Sequence, residues 1–274
     1  MKVLILAGGR SKRMGRDKAN IVRPDGTRQL DYIFELAKSV SDDVSLSSND
    51  PSVQLPGIDS IPDALPENGP LGAMLTFGSL VEHTGTVLII GCDLFLLDRP
   101  TLEALIGGHR QDAYATCFSN RIDGRPEPLC AIYSEAALDR LDNVVLERDG
   151  KCARHFIESL NPTLLQPPNP VALDNANSPH DLDEAFAKLT HGVTPKTVRI
   201  LYFAKLREAR GLDEEAVETL ACTCAGLYEE LRFRHRLPLD IDSLRCARNG
   251  DFCDWDTLLE PDDEIVFIPP VAGG

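Results

Sequence analysis

The sequence predicts an α/β protein in two parts: a three-layer, mostly parallel sheet domain, then a small α+β domain. Three observations predict it. Short apolar runs alternate with stretches of helical periodicity through the first 190 residues, the pattern of strands and helices in a layered parallel sheet. That alternation breaks at LTHGVTPK, around residues 190–196. A fresh pattern of two strands, one helix and further strands then fills the remainder of 274 residues, a length suited to one large domain or two ordinary ones.

The elements follow in order. KVLIL opens the chain as a short buried strand that ends in glycines. Leu30, Ile33, Phe34, Ala37 and Val40 then recur at helical spacing. Leu71, Met74, Leu75, Gly78 and Val81 do the same, with Pro70 in the first turn, where its missing N–H is least costly. TVLII (86–90), AYATCF (113–118) and PLCAIY (128–133) are strands. Leu182, Ala185, Phe186 and Leu189 form a last helical stripe, opened by the capping sequence Ser178-Pro179-His180-Asp181. The expected domains are therefore 1–190 and 197–274, joined by a linker at 191–196. In the second, TVRILYFA is a strand and GLDEEAVETL a turn and strand. Ala225 to His235 is a helix, SLRCARNG a strand and turn, and DEIVFI a closing strand. There is no internal repeat and no low-complexity tract.

Composition limits the function. A 43% hydrophobic content supports a substantial core, and the net charge of −15 sets up a field that repels nucleic acid and anionic membrane surfaces. A small anion held by a local positive cluster stays compatible with it. No apolar stretch approaches the roughly 20 residues that span a bilayer. KVLILAGG is too short, and too closely followed by basic residues, for a secretory signal. The eight cysteines form no C-x-x-C pair and show no zinc-site spacing. Several lie in apolar runs, where a thiol behaves as a small hydrophobe, so the expectation is reduced thiols in a cytoplasmic protein.

The chemistry concentrates at LILAGGRSKRMGRDKA, residues 4–19. A strand delivers the chain into Ala7-Gly8-Gly9, where bare backbone lets N–H groups approach a phosphate. Arg10, Lys12, Arg13, Arg16 and Lys18 follow, with Asp17 as the acid among them. The spacing is neither that of a Walker loop nor that of a dinucleotide fingerprint. It resembles the signature loop of nucleotidyltransferases of the molybdenum cofactor guanylyltransferase family, and the resemblance covers residues 1 to about 190. It implies nucleotide contacts at Leu6, Ala7, Gly8, Gly9, Gly15 and Lys18, and catalytic roles for Arg13, Lys18 and Asp93. NGPLGAM (68–74) resembles the family's base- and ribose-contacting segment, implying Gly69, Pro70, Leu71 and Gly72. In GCD (91–93), Asp93 follows a buried strand at the end where open α/β sheets bind ligands, and the resemblance makes it the Mg²⁺ ligand. GRPEPLCAIY and DNANSPHDL resemble further segments of the family, implying Arg125 as an acceptor contact and Asn175 and Asn177 as residues facing the metal or the acceptor. Two residues depart from the family pattern. Gly91 stands where proline is usual, which puts the firmness of the metal loop in question. Glu127 stands where histidine is usual, which puts the acceptor contact in question.

The implied reaction is Mg²⁺-dependent transfer of GMP from GTP to molybdopterin, releasing pyrophosphate. Gly8-Gly9 resembles the turn of the family's guanylyltransferases, where related cytidylyltransferases tend to carry alanine, and this implies guanylyl over cytidylyl transfer. A cytidylyltransferase, a sugar-1-phosphate nucleotidyltransferase and a non-catalytic nucleotide-binding scaffold stay open.

Residues 197–274 resemble the small subunit of molybdopterin synthase, through VRILYFAKLRE and the closing PDDEIVFIPPVAGG. The resemblance implies a ubiquitin-like β-grasp fold whose Gly273-Gly274 tail carries sulfur as a thiocarboxylate. It also implies two partners: an adenylating, sulfurylating activating enzyme and the synthase large subunit. The physics agrees. Six extended residues reach about 20 Å, Pro269 and Pro270 stiffen the exit, and two glycines present a carboxyl group on a chain of minimal width.

Overall fold

The computed structural model describes residues 1–7, 17–80, 85–141 and 152–269. The chain divides into two compact units, Met1–Asn175 and Ala176–Gly274.

Seven strands among the described residues build the sheet of the first unit: β1 (Lys2–Leu6), β2 (Val44–Ser47), β3 (Ser60–Ile61), β4 (Val87–Gly91), β5 (Ala115–Ser119), β6 (Pro126–Tyr133) and β7 (Thr163–Leu165). Their spatial order is β3-β2-β1-β4-β6-β5-β7. β6 alone runs against both of its neighbours, so the sheet is mostly parallel, as the alternating pattern predicts. β1 shows why the sheet must be covered on both sides. Val3, Ile5 and Ala7 enter one core, while Leu4 and Leu6 enter another. Helices α1 (Gln29–Lys38) and α3 (Arg99–Gly107) supply Leu30, Ile33, Leu36, Leu102 and Leu105 to the first core. Helices α2 (Pro70–Leu80), α4 (Glu135–Leu138) and α5 (Ala153–Ser159) supply Leu71, Met74, Phe77, Leu138, Phe156 and Ile157 to the second. The result is three layers.

The order of strands positions the site. From β1 the chain proceeds outward to β2 and β3, then crosses back to β4 on the other side of β1. The carboxyl ends of β1 and β4 therefore flank a topological switch point, where open α/β sheets bind their ligands.

The second unit opens with helix α6 (Pro179–His191). It is capped as expected: Ser178 accepts from the Asp181 N–H, while the Asp181 carboxylate accepts from the Ser178 N–H. The sequence pattern attaches this stripe to the first domain, whereas the compact division falls earlier, after Asn175. The physical reason is Glu184. Its buried carboxylate accepts from the N–H groups of Cys222 and Thr223 and from the Thr223 hydroxyl, and pairs with Lys188 at 3.0 Å.

Five strands follow: β8 (Lys196–Tyr202), β9 (Glu214–Thr219), β10 (Arg245–Arg248), β11 (Asp251–Cys253) and β12 (Glu264–Ile268), in spatial order β11-β10-β12-β8-β9. β8 and β9 are antiparallel, β12 lies parallel to β8, and helix α8 (Cys224–His235) packs its Leu227, Tyr228 and Leu231 into the same core as strand residues Val198, Ile200, Ile265 and Phe267. This is a β-grasp: hairpin, helix, then a last strand inserted beside the first. One further helix, α7 (Ala204–Arg210), occupies the β8–β9 connection.

Candidate active site

The site begins where β1 and β4 end side by side. Leu6 pairs with Gly91, and the Cys92 N–H donates to the Leu6 carbonyl at 3.1 Å. The Ala7 N–H donates to Ser47 on the other flank. Leu6 and Ala7 are thus fixed in the sheet, at the edge of the switch point. Gly8, Gly9, Arg13 and Gly15 lie outside the described residues.

The chain re-enters at Asp17, whose carboxylate caps a short 3₁₀ turn (Lys18–Asn20) by accepting from the Ala19 N–H at 2.9 Å. That turn aims Lys18 at Asp93: Nζ lies 3.6 Å from Oδ2, and both side chains are largely buried. Asp93 Oδ1 is buried without a hydrogen-bond partner. An oxygen in that state is costly unless something positive meets it. A hard carboxylate oxygen, pre-set at the end of a parallel strand, suits Mg²⁺. These residues fit the ion that the resemblance implies.

Gly91 has a definite role. A side-chain carbon there would lie 2.7 Å from Asp93 Oδ1 and 3.2 Å from the Leu129 side chain. Glycine makes room for the carboxylate, and as the last paired residue of β4 it does not unfasten the turn.

Two residues that sequence reasoning missed hold this turn. Gln29 is fully buried, and its Nε2 donates to the carbonyls of Cys92 and, at 3.4 Å, Leu94. Buried Arg23 donates to Gln29 Oε1 and to the Phe95 carbonyl. Tyr32 stacks under the Arg23 guanidinium at 3.7 Å and donates to the Leu97 carbonyl. Nothing in the local pattern marks Gln29 beyond a polar residue at the start of an apolar helix.

The second departure, Glu127, sits at the start of β6. It is 1% exposed and accepts from the Leu129 N–H and from Asn175 Nδ2 at 3.2 Å, with Arg154 3.8 Å away. Burial pushes its carboxyl up to about 7, and the nearby charge of Asp93 adds to the push. Asn175 therefore faces Glu127, and its own Oδ1 is buried without a partner. Arg125 makes a two-pronged pair with Glu158 at 2.8 and 3.0 Å. Asn177 belongs to the second unit, where its N–H donates to Asp181.

NGPLGAM forms the start of α2. Gly69 adopts φ 56°, ψ −140°, a conformation open essentially to glycine, and Pro70 and Leu71 start the helix. The bare face of Gly72 is used by the backbone: a side chain there would meet the Leu65 carbonyl at 2.1 Å. Close packing of the preceding turn thus requires this glycine.

Comparison with known proteins places these features. Residues 3–163 match the MobA-like NTP transferase domain. The chain belongs to that family. Residues 200–274 match the ThiS family. A molybdenum cofactor biosynthesis bifunctional protein of Synechocystis sp. is 33% identical over 185 residues, which are 65% of this chain and 51% of that relative, so the chain spans about half its length. A molybdenum cofactor guanylyltransferase of Desulfosudis oleivorans is 29% identical over 210 residues, covering 69% of this chain and 96% of that one. Among solved structures, the molybdopterin-guanine dinucleotide biosynthesis protein A of Archaeoglobus fulgidus superposes with a TM-score of 0.57 at 22% identity, over 70% of this chain and all of that one, a likeness of fold. The MobA-like unit thus carries Lys18 and Asp93 at its switch point, and a ThiS-family unit follows it. No helix among the described residues is long and apolar enough to cross a membrane.

Proposed function

We propose that the protein is a bifunctional cytoplasmic enzyme of molybdenum cofactor synthesis. Its MobA-like unit transfers GMP from GTP to molybdopterin. The terminal phosphate of the acceptor attacks the α-phosphorus in line, and pyrophosphate leaves; no side-chain nucleophile is required. The observation that carries this reading is the convergence of Lys18 and Asp93 at the β1–β4 switch point, with Asp93 Oδ1 buried and unpartnered. Mg²⁺ held on Asp93 would neutralise charge developing on the transferring phosphate. The chain's own part is positioning. Leu6 and Ala7 anchor the glycine loop, Gln29 and Arg23 hold the Asp93 turn, and Lys18 supplies a fixed positive charge. Gly8, Gly9, Arg13 and Gly15 are assigned to the triphosphate, Gly69 to Gly72 to the nucleoside, and Arg125, Asn175 and Asn177 to the acceptor. The test is pyrophosphate release from GTP, Mg²⁺ and molybdopterin. Tight GTP binding without release refutes the transferase reading.

The ThiS-family unit is assigned sulfur carriage, as a thiocarboxylate on Gly274. Its partners are then an ATP-dependent activating enzyme and the large subunit of molybdopterin synthase. The family match through residue 274 and the β-grasp topology support this. Pro269 is buried at the end of β12; Pro270 to Gly274 lie outside the described residues. Intact mass after incubation with activating enzyme, ATP and a sulfur donor should rise by one oxygen-for-sulfur exchange. Deleting Gly274 should abolish the gain, and a gain that survives deletion refutes the assignment.

A further inference from the structure

Three cysteines that show no zinc-type spacing in sequence come together in the second unit. The thiol sulfurs of Cys224, Cys246 and Cys253 all lie within 4.8 Å of one another, and Cys224 and Cys253 are 3.9 Å apart. We propose that these three thiols form a binding site for one thiophilic metal ion of the Zn²⁺ class, with a fourth position left to solvent or a small ligand.

Geometry carries the inference. Around a tetrahedral zinc with Zn–S bonds of about 2.3 Å, neighbouring sulfurs are about 3.8 Å apart. The Cys224–Cys253 separation is already close to that value, and the remaining pairs need contraction of no more than about 1 Å. Each ligand comes from a different, well-anchored element. Cys246 and Cys253 are directly opposed partners on β10 and β11, joined by the tight Asn249–Gly250 turn. Cys224 is the first residue of α8, and two hydrogen bonds tie that end of the helix to the segment after β11: Cys224 N–H to the Thr257 carbonyl and Ala225 N–H to the Trp255 carbonyl. Little ordering cost is left for an ion to meet.

The electrostatics agree. Cys224 occupies the amino end of a twelve-residue helix, where anions are favoured. Access is asymmetric in a useful way. Cys224 and Cys246 are buried, while Cys253 is half-buried and offers a route in. On binding, three S–H bonds give up their protons to solvent as three metal–sulfur bonds form, so uptake releases up to three protons and weakens as pH falls. The site ties β10, β11 and α8 into one unit, and Cys246 faces Phe267 of β12 across the sheet register. Trp255, the chain's one tryptophan, stacks on Phe267 beside the cluster and reports on it.

The test uses the reduced full-length protein, freed of metal with chelator, with all eight thiols confirmed by titration after denaturation. Zn²⁺ is titrated against a chromophoric chelator, and Co²⁺ is followed by its thiolate charge-transfer band and by Trp255 emission. One ion per chain, with a tetrahedral cobalt spectrum, is expected. Cys253→Ser, at the half-buried position, should weaken binding at least about tenfold. Cys152→Ser, at an exposed cysteine outside the cluster, should not. Cys224→Ser and Cys246→Ser provide the same comparison where circular dichroism shows them folded. Absence of stoichiometric binding by the reduced protein overturns the proposal. So does binding indifferent to Cys253→Ser, or a disulfide within the trio in protein prepared with zinc present.

Discussion

Replacing Glu127 by glutamine should remove a pH dependence from the stability of the MobA-like unit. The carboxyl rises from an ordinary value of 4.5 to about 7 in the fold, chiefly because it is buried. A raised carboxyl binds more protons when folded than when unfolded between those two values. Its stabilising effect is therefore complete below pH 4.5 and is lost as pH rises through 7. At about 1.4 kcal/mol for every tenfold change in proton affinity, the whole span is worth about 3 to 4 kcal/mol, of which about three-quarters falls between roughly pH 5 and pH 8. Glutamine keeps the shape and a carbonyl acceptor but has no proton to lose. Urea denaturation in EDTA, followed by far-UV circular dichroism in small pH steps over that range, gives the two curves. Wild type should lose stability relative to Glu127→Gln as pH rises. The difference between proteins isolates this group from every other titration. Parallel curves would show that Glu127 is ionised throughout at no cost, and would refute the burial argument.

Other changes have equally direct readouts. Asp93→Asn should cut pyrophosphate release by about 100-fold or more, at unchanged thermal stability, because it removes the carboxylate proposed to hold Mg²⁺ against the reacting phosphate; a change under about tenfold would move the reactive centre elsewhere. Gln29→Leu strips two carbonyls and Arg23 of a buried partner, at about 2 kcal/mol, and should raise the Mg²⁺ concentration needed for half-maximal rate through loss of aim at Asp93. An unchanged Mg²⁺ dependence would confine Gln29 to a folding role. Gly226→Ala would set a methyl group 2.3 Å from the Glu184 carboxyl carbon, which cannot retreat without breaking its bonds to Cys222 and Thr223. It should destabilise the second unit by about 3 kcal/mol in denaturation followed by Trp255 fluorescence; an unchanged midpoint would mean that the helices separate freely.

Much was legible along the chain. The alternating runs marked β1, β4, β5 and β6 and helices α1 and α2, because strand and helix periodicity are local properties of side-chain direction; α3 went unmarked. The capping sequence at Ser178 located the start of α6 to the residue, since a cap is a contact between near neighbours. The motif around Gly8 and the pair Lys18 and Asp93 pointed to one family. The compact division after Asn175 was not legible, because it turns on which surface Glu184 meets, and that partner lies 38 residues away.

By itself, then, the sequence determined the two-part α/β architecture and the family of the front unit, both written in short-range pattern and spacing. Only the tertiary structure decided that Lys18, Gln29 and Arg23 serve the turn at Asp93, that Glu127 is buried against Asn175, and that three scattered cysteines share one pocket of space. Strand register and helix docking join residues that no local period relates. Proximity of that kind is a property of the packed core and not of any segment of the chain.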